Sequence, residues 1–481
     1  LRSARSRTRW HILKLRERND PHHNRPSHCS PMPCGAGGDG VVCNERGLSV
    51  RRTYKIQNVY DATQERMDFI FSRFDRIYLS FSGGKDSGVM LNLFLQYMRA
   101  KGITQKIGVM ILDNEANYTQ SLEFMHAIIR ANLDLLDVYW CCLPITLPCT
   151  VSHYEIDWQC WGEADKERWI RPMPEDDYIV HMGNHPFPFF RPNMNYQEFW
   201  DEFGEWYSQG QRTACLIGIR AAESLNRYRA ILNADKVMLE GRQWTKQNME
   251  NVFNVYPIYD WKTDDIWTAN ARFEWDYNKL YDLFYMAGVP IGKMRVASPF
   301  MSESKSSLNL YRVIDPSTWA RLCSRVHGAN FVATYGKQLN YKSVKLPQGH
   351  TWKSFVKFLL ATLPKETEQN FKQRFIQSFL YWGRVGRGLP AAIIEGLREA
   401  GIRFKLNGLT RHGSQTLERV RIQTFPDHVD MLRCHNGTVA SWKRFAITIL
   451  KNDHQCKYMG LAQTKEQIVR QRMIMRKYSK I

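Results

Sequence analysis

The feature that most constrains the fold is an apolar run, Ile77 to Phe81, which breaks into a glycine turn and continues in a helical pattern. The apolar run is typical of a buried parallel strand, and the segment from Val89 to Leu95 predicts a helix. A strand, a glycine turn and a helix in this order aim free backbone N–H groups and a helix N-terminus at one point. We therefore predict an anion-binding loop at residues 82–87.

The residue types of this loop suit a phosphate group. Its two glycines let the backbone approach an anion and adopt positive φ, its two serines offer hydroxyl donors, and Lys85 adds a point charge. Asp86 is a candidate ligand for Mg²⁺ bound to a polyphosphate. The alternative is a glycine-rich turn without a ligand. The predicted nucleotide- or phosphate-binding residues of the loop are Ser82, Gly83, Gly84, Lys85, Asp86 and Ser87.

The loop does not have the Walker spacing. It resembles the Ser-Gly-Gly-x-Asp-Ser loop of the PP-loop (ATP pyrophosphatase) superfamily, and the lysine in its fourth place resembles the branch of phosphoadenosine phosphosulfate (PAPS) reductases and ATP sulfurylase small subunits. The resemblance implies an α/β fold with a doubly wound, mostly parallel sheet of the adenine nucleotide alpha hydrolase-like type. It implies ATP or PAPS as ligand together with Mg²⁺, and no flavin or haem.

A second predicted strand, residues 106–112, ends in Asp113-Asn114-Glu115. Acidic residues at the carboxyl end of a parallel strand lie where doubly wound sheets bind ligands. The PAPS reductase family has an acidic residue here, so the resemblance makes Asp113 a catalytic candidate beside Lys85 and Asp86, and a second Mg²⁺ ligand with Asp86. The alternative for Asp113 is a turn or helix-capping carboxylate.

A third block repeats the strand–turn–helix pattern at residues 214–227. The turn places Arg220 over the carboxyl edge of the sheet and Arg227 further along the helix, where guanidinium groups hold phosphate or sulfate bidentately. The block matches the family motif Gly-x-Arg-x-x-Glu-Ser-x-x-Arg. The alternative is surface ion pairing to Glu223. The resemblance extends over residues 54–295.

Length and charge predict three segments. The 481 residues suffice for several domains, and we expect residues 1–52 to be disordered or a non-native extension, 53–297 to form the PP-loop domain with an insertion at about 145–205, and 298–481 to form a basic helical domain. Residues 300–481 contain 31 Lys and Arg against 11 Asp and Glu, whereas residues 1–299 contain 36 of each.

Cysteine usage and hydropathy limit the remaining classes. The sequence has 11 cysteines and no Cys-x-x-Cys pair, so buried thiols are favoured over a zinc or iron–sulfur site for Cys141, Cys142, Cys149 and Cys160. A small zinc knot and a targeting peptide are the alternatives for the N-terminal segment. We find no apolar run of 18 residues or more, expect no membrane span, and predict a cytoplasmic protein.

Residues beyond 298 resemble the DUF3440-type domain that follows a PAPS reductase-like domain in bacterial immunoglobulin-binding regulator A proteins, which are co-activators of prophage gene expression. This resemblance implies a regulator whose residues 300–481 contact DNA or a partner protein. A basic, aromatic module is also a physically reasonable surface for nucleic-acid phosphates. The alternative is a solvated basic face over an ordinary core.

Two reactions remain open at this stage. Sulfonucleotide reductases carry a cysteine in a Glu-Cys-Gly-x-His tail, and the sequence ends Arg476-Lys477-Tyr478-Ser479-Lys480-Ile481 without it. Because a reductase needs a thiolate to accept the sulfonyl group, we expect a nucleotide-dependent enzyme in which adenylation with pyrophosphate release competes with reduction. A thioredoxin-type reductant is a partner only in the second case.

Overall fold

The computed structural model describes residues 41–43, 49–51, 55–233, 236–305, 307–335, 344–412, 415–429 and 439–461. The chain divides into two compact units, Leu1–Asn58 and Val59–Ile481. In the first unit, β1 (Val41–Cys43) and β2 (Ser49–Arg51) pair antiparallel. We predicted that residues 1–52 are disordered or a non-native extension, and the structure describes this hairpin within them. The rest of the segment lies outside the described residues. Of the residues considered for a zinc knot, Cys43 is described and the others are not.

The second unit begins with alternating strands and helices. Its elements up to residue 272 are α1 (Val59–Arg73), β3 (Arg76–Ser80), α2 (Lys85–Lys101), β4 (Ile107–Leu112), α3 (Thr119–Arg130), β5 (Leu136–Cys141), β6 (Ile145–Pro148), β7 (Asp157–Gln159), β8 (Ile179–Val180), β9 (Met194–Asn195), α4 (Tyr196–Ser208), β10 (Thr213–Ile217), α5 (Leu225–Leu232), β11 (Thr245–Gln247), β12 (Val252–Val255) and α6 (Thr263–Arg272).

The rest of the unit is mainly helical. It contains α7 (Leu280–Met286), α8 (Tyr311–Ile314), α9 (Pro316–Arg325), α10 (Ala329–Tyr335), α11 (Trp352–Ala361), α12 (Lys365–Leu380), β13 (Arg387–Leu389), α13 (Ala391–Glu399), β14 (Phe404–His412), β15 (Gln415–Ile422) and α14 (Trp442–Leu450). Within the described residues, no helix has the length and apolar character needed to span a bilayer.

The central sheet has seven strands in the order β11-β12-β10-β3-β4-β5-β8. All neighbours pair in parallel except β11 and β12, which are antiparallel. The chain runs outward from β3 through β4 and β5 to β8, and then returns to β10 on the other side of β3. This confirms the predicted doubly wound, mostly parallel fold, and it places the topological switch point between β3 and β10.

The sheet is buried because its inner strands are apolar on both faces, as parallel strands covered by helices are. Leu79 of β3 and Val109 of β4 are fully buried. The hydrophobic core around the sheet continues from Met67 to Ala333, and two further clusters lie within residues 352–459 and 382–440. Residues 300–333 thus pack on the same core as the nucleotide-type sheet.

The basic C-terminal segment contains a sheet that we did not predict. Strands β13, β15 and β14 form a three-stranded antiparallel sheet in that order. The predicted mainly helical fold of this segment is confirmed, and these three strands are an addition to it. Part of the predicted insertion is also ordered, because β7, β6 and β9 form a second small sheet.

Candidate functional site

The predicted loop lies at the switch point of the central sheet. Residues 82–87 follow β3, and Gly218 to Arg220 follow the neighbouring parallel strand β10. A Cβ atom on Gly218 would lie 3.1 Å from the backbone nitrogen of Ser87. Glycine at this position therefore lets the turn after β10 pack directly on the first turn of α2. The three predicted blocks are not equally close, since Asp113 follows β4, one strand further along.

The loop backbone has the conformation that the glycine pair predicts. Gly83 has φ of +65°, and a Cβ atom there would lie 2.5 Å from the Sδ atom of Met125. Gly84 precedes α2 in an extended conformation, and as the N-cap residue it supplies no side-chain cap. Ser87 Oγ donates to the Gly84 carbonyl at 3.1 Å and lies 3.1 Å from Ser82 Oγ. Two hydroxyl groups therefore frame the N-terminus of α2, where the Lys85 backbone N–H donates to Tyr281 Oη.

Both charged residues of the loop have partners. Asp86 Oδ1 accepts a hydrogen bond from Arg220 Nε at 2.7 Å, and its Oδ2 lies 3.5 Å from Lys85 Nζ. Lys85 Nζ also donates to the Met294 carbonyl at 3.1 Å. Burial lowers the pKa of Lys85 below its ordinary value, although the nearby Asp86 carboxylate opposes this shift. We expected Arg220 to face a phosphate; in this structure its guanidinium neutralises Asp86.

A second carboxylate of this region is shared in the same way. Glu223 forms ion pairs with Arg227, one helical turn further on, and with Arg295 at 3.4 Å. Its side chain is buried, whereas the two arginine side chains are 36% and 38% exposed. From the sequence we considered the Arg227–Glu223 ion pair as the alternative to phosphate binding. We did not predict that Arg295 also pairs with Glu223.

The charges of these side chains do not cancel. Four cations, those of Lys85, Arg220, Arg227 and Arg295, share the two carboxylates of Asp86 and Glu223. The group therefore carries two net positive charges beside the N-terminus of α2. Both features favour a bound anion, and their effect is strengthened where the groups are removed from water.

Asp113 belongs to a different network. It is fully buried, its Oδ2 accepts from Trp140 Nε1 at 2.7 Å and forms an ion pair with Arg171, and its Oδ1 accepts from the Glu115 backbone at 2.8 Å. No hydrogen bond or ion pair joins it to Asp86 among the described residues. Within the same residues, no group of three or more His, Cys, Asp or Glu side chains is arranged to hold a metal ion.

Glu115 is buried beside Asp113 and holds the following segment in place. Its carboxylate accepts backbone hydrogen bonds from Trp161 at 2.8 Å and Ile170 at 2.9 Å, and it lies 3.2 Å from Arg325 Nε. Burial raises the pKa of Glu115, and the Arg325 charge opposes this. Arg325 belongs to α9, so a residue beyond position 298 supports the segment that covers the carboxyl edge of β4.

A cavity of about 950 Å³ lies at the carboxyl edges of β4, β5 and β8. Cys142, Trp161 and Ile170 form its buried inner part, with Arg171 half-buried beside them. Ser317, Thr318 and Arg321 of α9 line its outer part. The cavity is thus built by the predicted insertion together with a helix of the C-terminal segment.

Four buried cysteines, of which Cys142 lines this cavity, are not activated. Cys141, Cys142, Cys149 and Cys160 are buried and free. Burial raises the pKa of each thiol, that of Cys149 to about 12. A thiol that stays protonated at neutral pH is a poor nucleophile. These thiols match the buried-thiol interpretation rather than that of a reactive sulfur.

Sequence reasoning missed the residues that hold the loop from behind. Asn278 Nδ2 donates to the Gly83 carbonyl at 2.8 Å and to Ser121 Oγ at 2.9 Å, and Tyr281 Oη accepts from the Lys85 backbone N–H at 3.0 Å. The signal was the Tyr-Asn-x-Leu-Tyr-Asp block at residues 277–282, which resembles the family pattern but carries no chemistry of its own. Its contribution is to fix the loop.

These features define a PAPS reductase-type α/β domain followed by a second, basic segment, and family comparison agrees. Residues 76–288 match the phosphoadenosine phosphosulfate reductase domain, and residues 288–470 match a domain of unknown function (DUF3440). The chain is 32% identical over 422 residues to the uncharacterized protein YbdN of Escherichia coli (strain K12). The matched region covers 86% of this chain and 93% of YbdN. The chain therefore belongs to the YbdN family.

Similar solved structures have low scores. They include FMN adenylyltransferase of Candida glabrata with FMN and an ATP analogue (TM-score 0.28, 14% identity, 46% of this chain and 59% of that one). PAPS reductase of Candida auris has a TM-score of 0.24 at 10% identity over 51% and 97% of the two chains. The U34-tRNA thiolase NcsA of Methanococcus maripaludis has 0.27 at 13% over 67% and 92%. Such scores carry no argument about function.

Proposed function

We propose that this protein binds an adenine nucleotide, ATP or PAPS, at the loop Ser82–Ser87 and uses it in a nucleotide-dependent reaction. The observation that carries the proposal is the net charge of the site: four cations share two carboxylates beside the N-terminus of α2. A polyphosphate or phosphosulfate group supplies the negative charge that this arrangement favours.

The residues divide into two roles. The backbone N–H groups of Asp86 and Ser87, with the hydroxyls of Ser82 and Ser87, would bind the phosphate oxygens, whereas the Lys85 N–H donates to Tyr281 Oη. Arg227 and Arg295, which are partly exposed, would contact the outer phosphates or the sulfate. Lys85 and Arg220 are buried and would act through their positive charge and by fixing Asp86.

The predicted Mg²⁺ ligands do not fit a metal held by the protein. Both carboxylate oxygens of Asp86 contact cations, and Asp113 is bound by Arg171 and Trp140. A Mg²⁺ ion that accompanies ATP would therefore be coordinated by the nucleotide itself. We keep Lys85 and Asp86 as residues of the nucleotide site, and we assign Asp113 to the buried network that holds Arg171, a residue lining the cavity of about 950 Å³.

The two reactions differ in what they require of the second substrate. Cleavage of ATP between the α- and β-phosphates needs an acceptor nucleophile near the α-phosphorus, and the cavity of about 950 Å³ is the candidate space for that acceptor. Reduction of PAPS needs a thiolate and a thioredoxin-type reductant. The raised pKa values of the four buried thiols favour the first reaction.

The test is binding and product analysis with the full chain. Calorimetric titration with ATP and PAPS should show a Kd that rises at least tenfold in Arg227→Gln and in Lys85→Met. Lys101→Gln is the matched control, since Lys101 lies at the opposite end of α2 and pairs with Asp68. Chromatography after incubation with Mg²⁺ should yield AMP and pyrophosphate from ATP. Unchanged affinity in both site variants would refute the site.

A second role is regulation of gene expression, and a specific observation favours it. Residues 300–481 carry an excess of 20 positive charges, which equals the net charge of the whole chain. A cytoplasmic regulator that senses a nucleotide and contacts DNA or a partner protein through this segment would use both features. Tight nucleotide binding without product formation, together with salt-dependent binding to DNA, would support this role over the enzymatic one.

A further inference from the structure

One face of the β13–β15–β14 sheet carries three cations of the basic C-terminal segment. Lys405 of β14 pairs directly with Arg421 of β15, and Arg419 lies two residues before Arg421. Because side chains alternate along a strand, these three cations share a face. Glu418 is the one carboxylate in β14 and β15. It lies on the opposite face of the sheet, the face on which Val420 is buried.

Neutral groups orient these cations without neutralising them. The side-chain amide of Asn407 is oriented with its oxygen towards Arg421. In this orientation Asn407 Oδ1 accepts hydrogen bonds from Arg421 Nε at 3.1 Å and from Arg421 Nη2 at 2.8 Å. Arg419 Nη2 donates to Thr410 Oγ1 at 3.3 Å. Lys405 is exposed. In the part of the chain that the structure describes, none of the three cations forms an ion pair with a carboxylate, so the face keeps three positive charges.

The shape of the sheet limits what this face can contact. Strand β13 pairs with residues 418–420 only, whereas β14 and β15 remain paired as far as His412 and Gln415. The pair therefore extends past β13 as a two-stranded ribbon. Such a ribbon fits the major groove of B-form DNA, which is about 12 Å wide, whereas the major groove of A-form RNA is too deep and narrow to admit it.

The composition of the face points to a duplex rather than a single strand. Proteins that bind unpaired bases present aromatic side chains on which the bases stack. The cationic face carries Thr410 and Leu417 beside the cations, and Phe404, the one Phe, Tyr or Trp of the two strands, packs on the other side against the C-terminal core. Cations without Phe, Tyr or Trp platforms suit the phosphates of double-stranded DNA.

We propose that the β14–β15 ribbon binds double-stranded DNA, with residues 410–412 and 415–417 in the major groove and with Lys405, Arg419 and Arg421 on the phosphates. This inference rests on the second role proposed above and names its partner and surface, which is separate from the nucleotide loop. Phosphate contacts give affinity with little dependence on sequence, and they make binding fall steeply as salt rises.

The test measures binding of the full chain to a fluorescent DNA duplex of about 20 base pairs by anisotropy over a series of salt concentrations. Arg419→Gln/Arg421→Gln should weaken binding at least tenfold and reduce the slope of log K against log salt by about 2, since each phosphate contact contributes about 0.9. Lys357→Gln is the matched control, because Lys357 is an exposed lysine of α11. It should bind as the wild type does.

Two further arms keep the proposal refutable. Lys405→Gln changes an exposed side chain, so it should fold normally, weaken binding several-fold and reduce the slope by about 1. Single-stranded DNA and an RNA duplex of the same length should both bind more weakly than the DNA duplex. Binding that is unchanged in Lys405→Gln and in the double variant, or tighter binding of either competitor, overturns the proposal. Lys85→Met should bind DNA normally, which separates this site from the nucleotide site.

Discussion

Arg220 and Asp86 form a buried ion pair across the switch point of the sheet. The Arg220 Nε–H donates to Asp86 Oδ1 at 2.7 Å although 134 positions separate the two residues in the chain. Arg220 is 2% exposed and the Asp86 side chain 13%. The guanidinium also donates to the Trp261 carbonyl and to Thr263 Oγ1. The pair therefore ties the turn after β10 to the first turn of α2 and to the start of α6.

Asp86→Asn should lower the free energy of unfolding by about 3–5 kcal/mol, because it leaves the buried Arg220 charge without its carboxylate. Urea-induced unfolding followed by tryptophan fluorescence measures the change. Asp264→Asn is the matched control, since Asp264 is exposed on α6, and its effect should stay within about 0.5 kcal/mol. Equal stability of Asp86→Asn and the wild type would show that the pair contributes nothing.

The conformation of the loop at residues 82–87 could be predicted from sequence because its determinants are local. An apolar strand, two glycines and a helix lie within 25 residues, and each carries its own signal. The partner of Arg220 could not be predicted, because the sequence offered Glu223, three residues away, and gave no sign of Asp86. The same holds for Asn278, which contacts the Gly83 carbonyl across 195 positions. Such contacts depend on how the sheet is wound.

Gly83→Ala should destabilise the protein more than Gly102→Ala. Both glycines have φ of +65°, so an alanine is strained at either position. A Cβ atom at Gly83 would lie 2.5 Å from Met125 Sδ, whereas at Gly102 nothing lies within 4 Å. We therefore expect Gly83→Ala to cost about 1–3 kcal/mol more than Gly102→Ala in urea unfolding.

A double variant isolates the steric contribution. Met125→Ala removes the side chain that the new Cβ atom would meet, so Gly83→Ala should cost less in the Met125→Ala background than in the wild type. The coupling between the two changes, read from the double-mutant cycle, should be at least about 1 kcal/mol. If the two changes were additive, the contact with Met125 would not be the cause.

Arg325→Lys should destabilise the junction between the sheet and the C-terminal segment. Arg325 contacts Glu115 at 3.2 Å, Asp165 at 2.9 Å and the Gln159 carbonyl at 2.6 Å, and a lysine cannot reproduce this forked geometry. We expect a loss of about 2–4 kcal/mol. Arg321→Lys, on an exposed residue of the same helix, should change stability by less than about 0.5 kcal/mol.

The C-terminal sheet escaped sequence reasoning for physical reasons. Strand β13 has three residues, and β14 contains Asn407-Gly408, a pair that is typical of a turn. In the structure the pairing of β14 with β15 shifts between Leu406 and Leu409. Asn407 and Gly408 therefore form a bulge rather than the end of a hairpin. A bulge keeps the strand paired where local preference predicts that it stops.

Lys305 provides a test of burial by pH. Its Nζ atom donates to the Lys451 carbonyl at 2.5 Å, beside a cavity of about 250 Å³, and burial lowers its pKa from 10.5 to about 8 despite the nearby Cys149 and Asp453. Between these two pH values the unfolded chain binds more protons than the folded one, so stability rises with pH. The stability of the wild type relative to Lys305→Met should therefore increase from pH 8 to pH 10.5, by at most about 1.4 kcal/mol per pH unit, the value for one proton.

The control replaces Lys305 by another cation. The stability of the wild type relative to Lys305→Arg should increase with pH by the same amount, because neither methionine nor arginine titrates in this range. Urea unfolding at several pH values measures both differences, and two flat profiles would show that Lys305 stays charged in the fold.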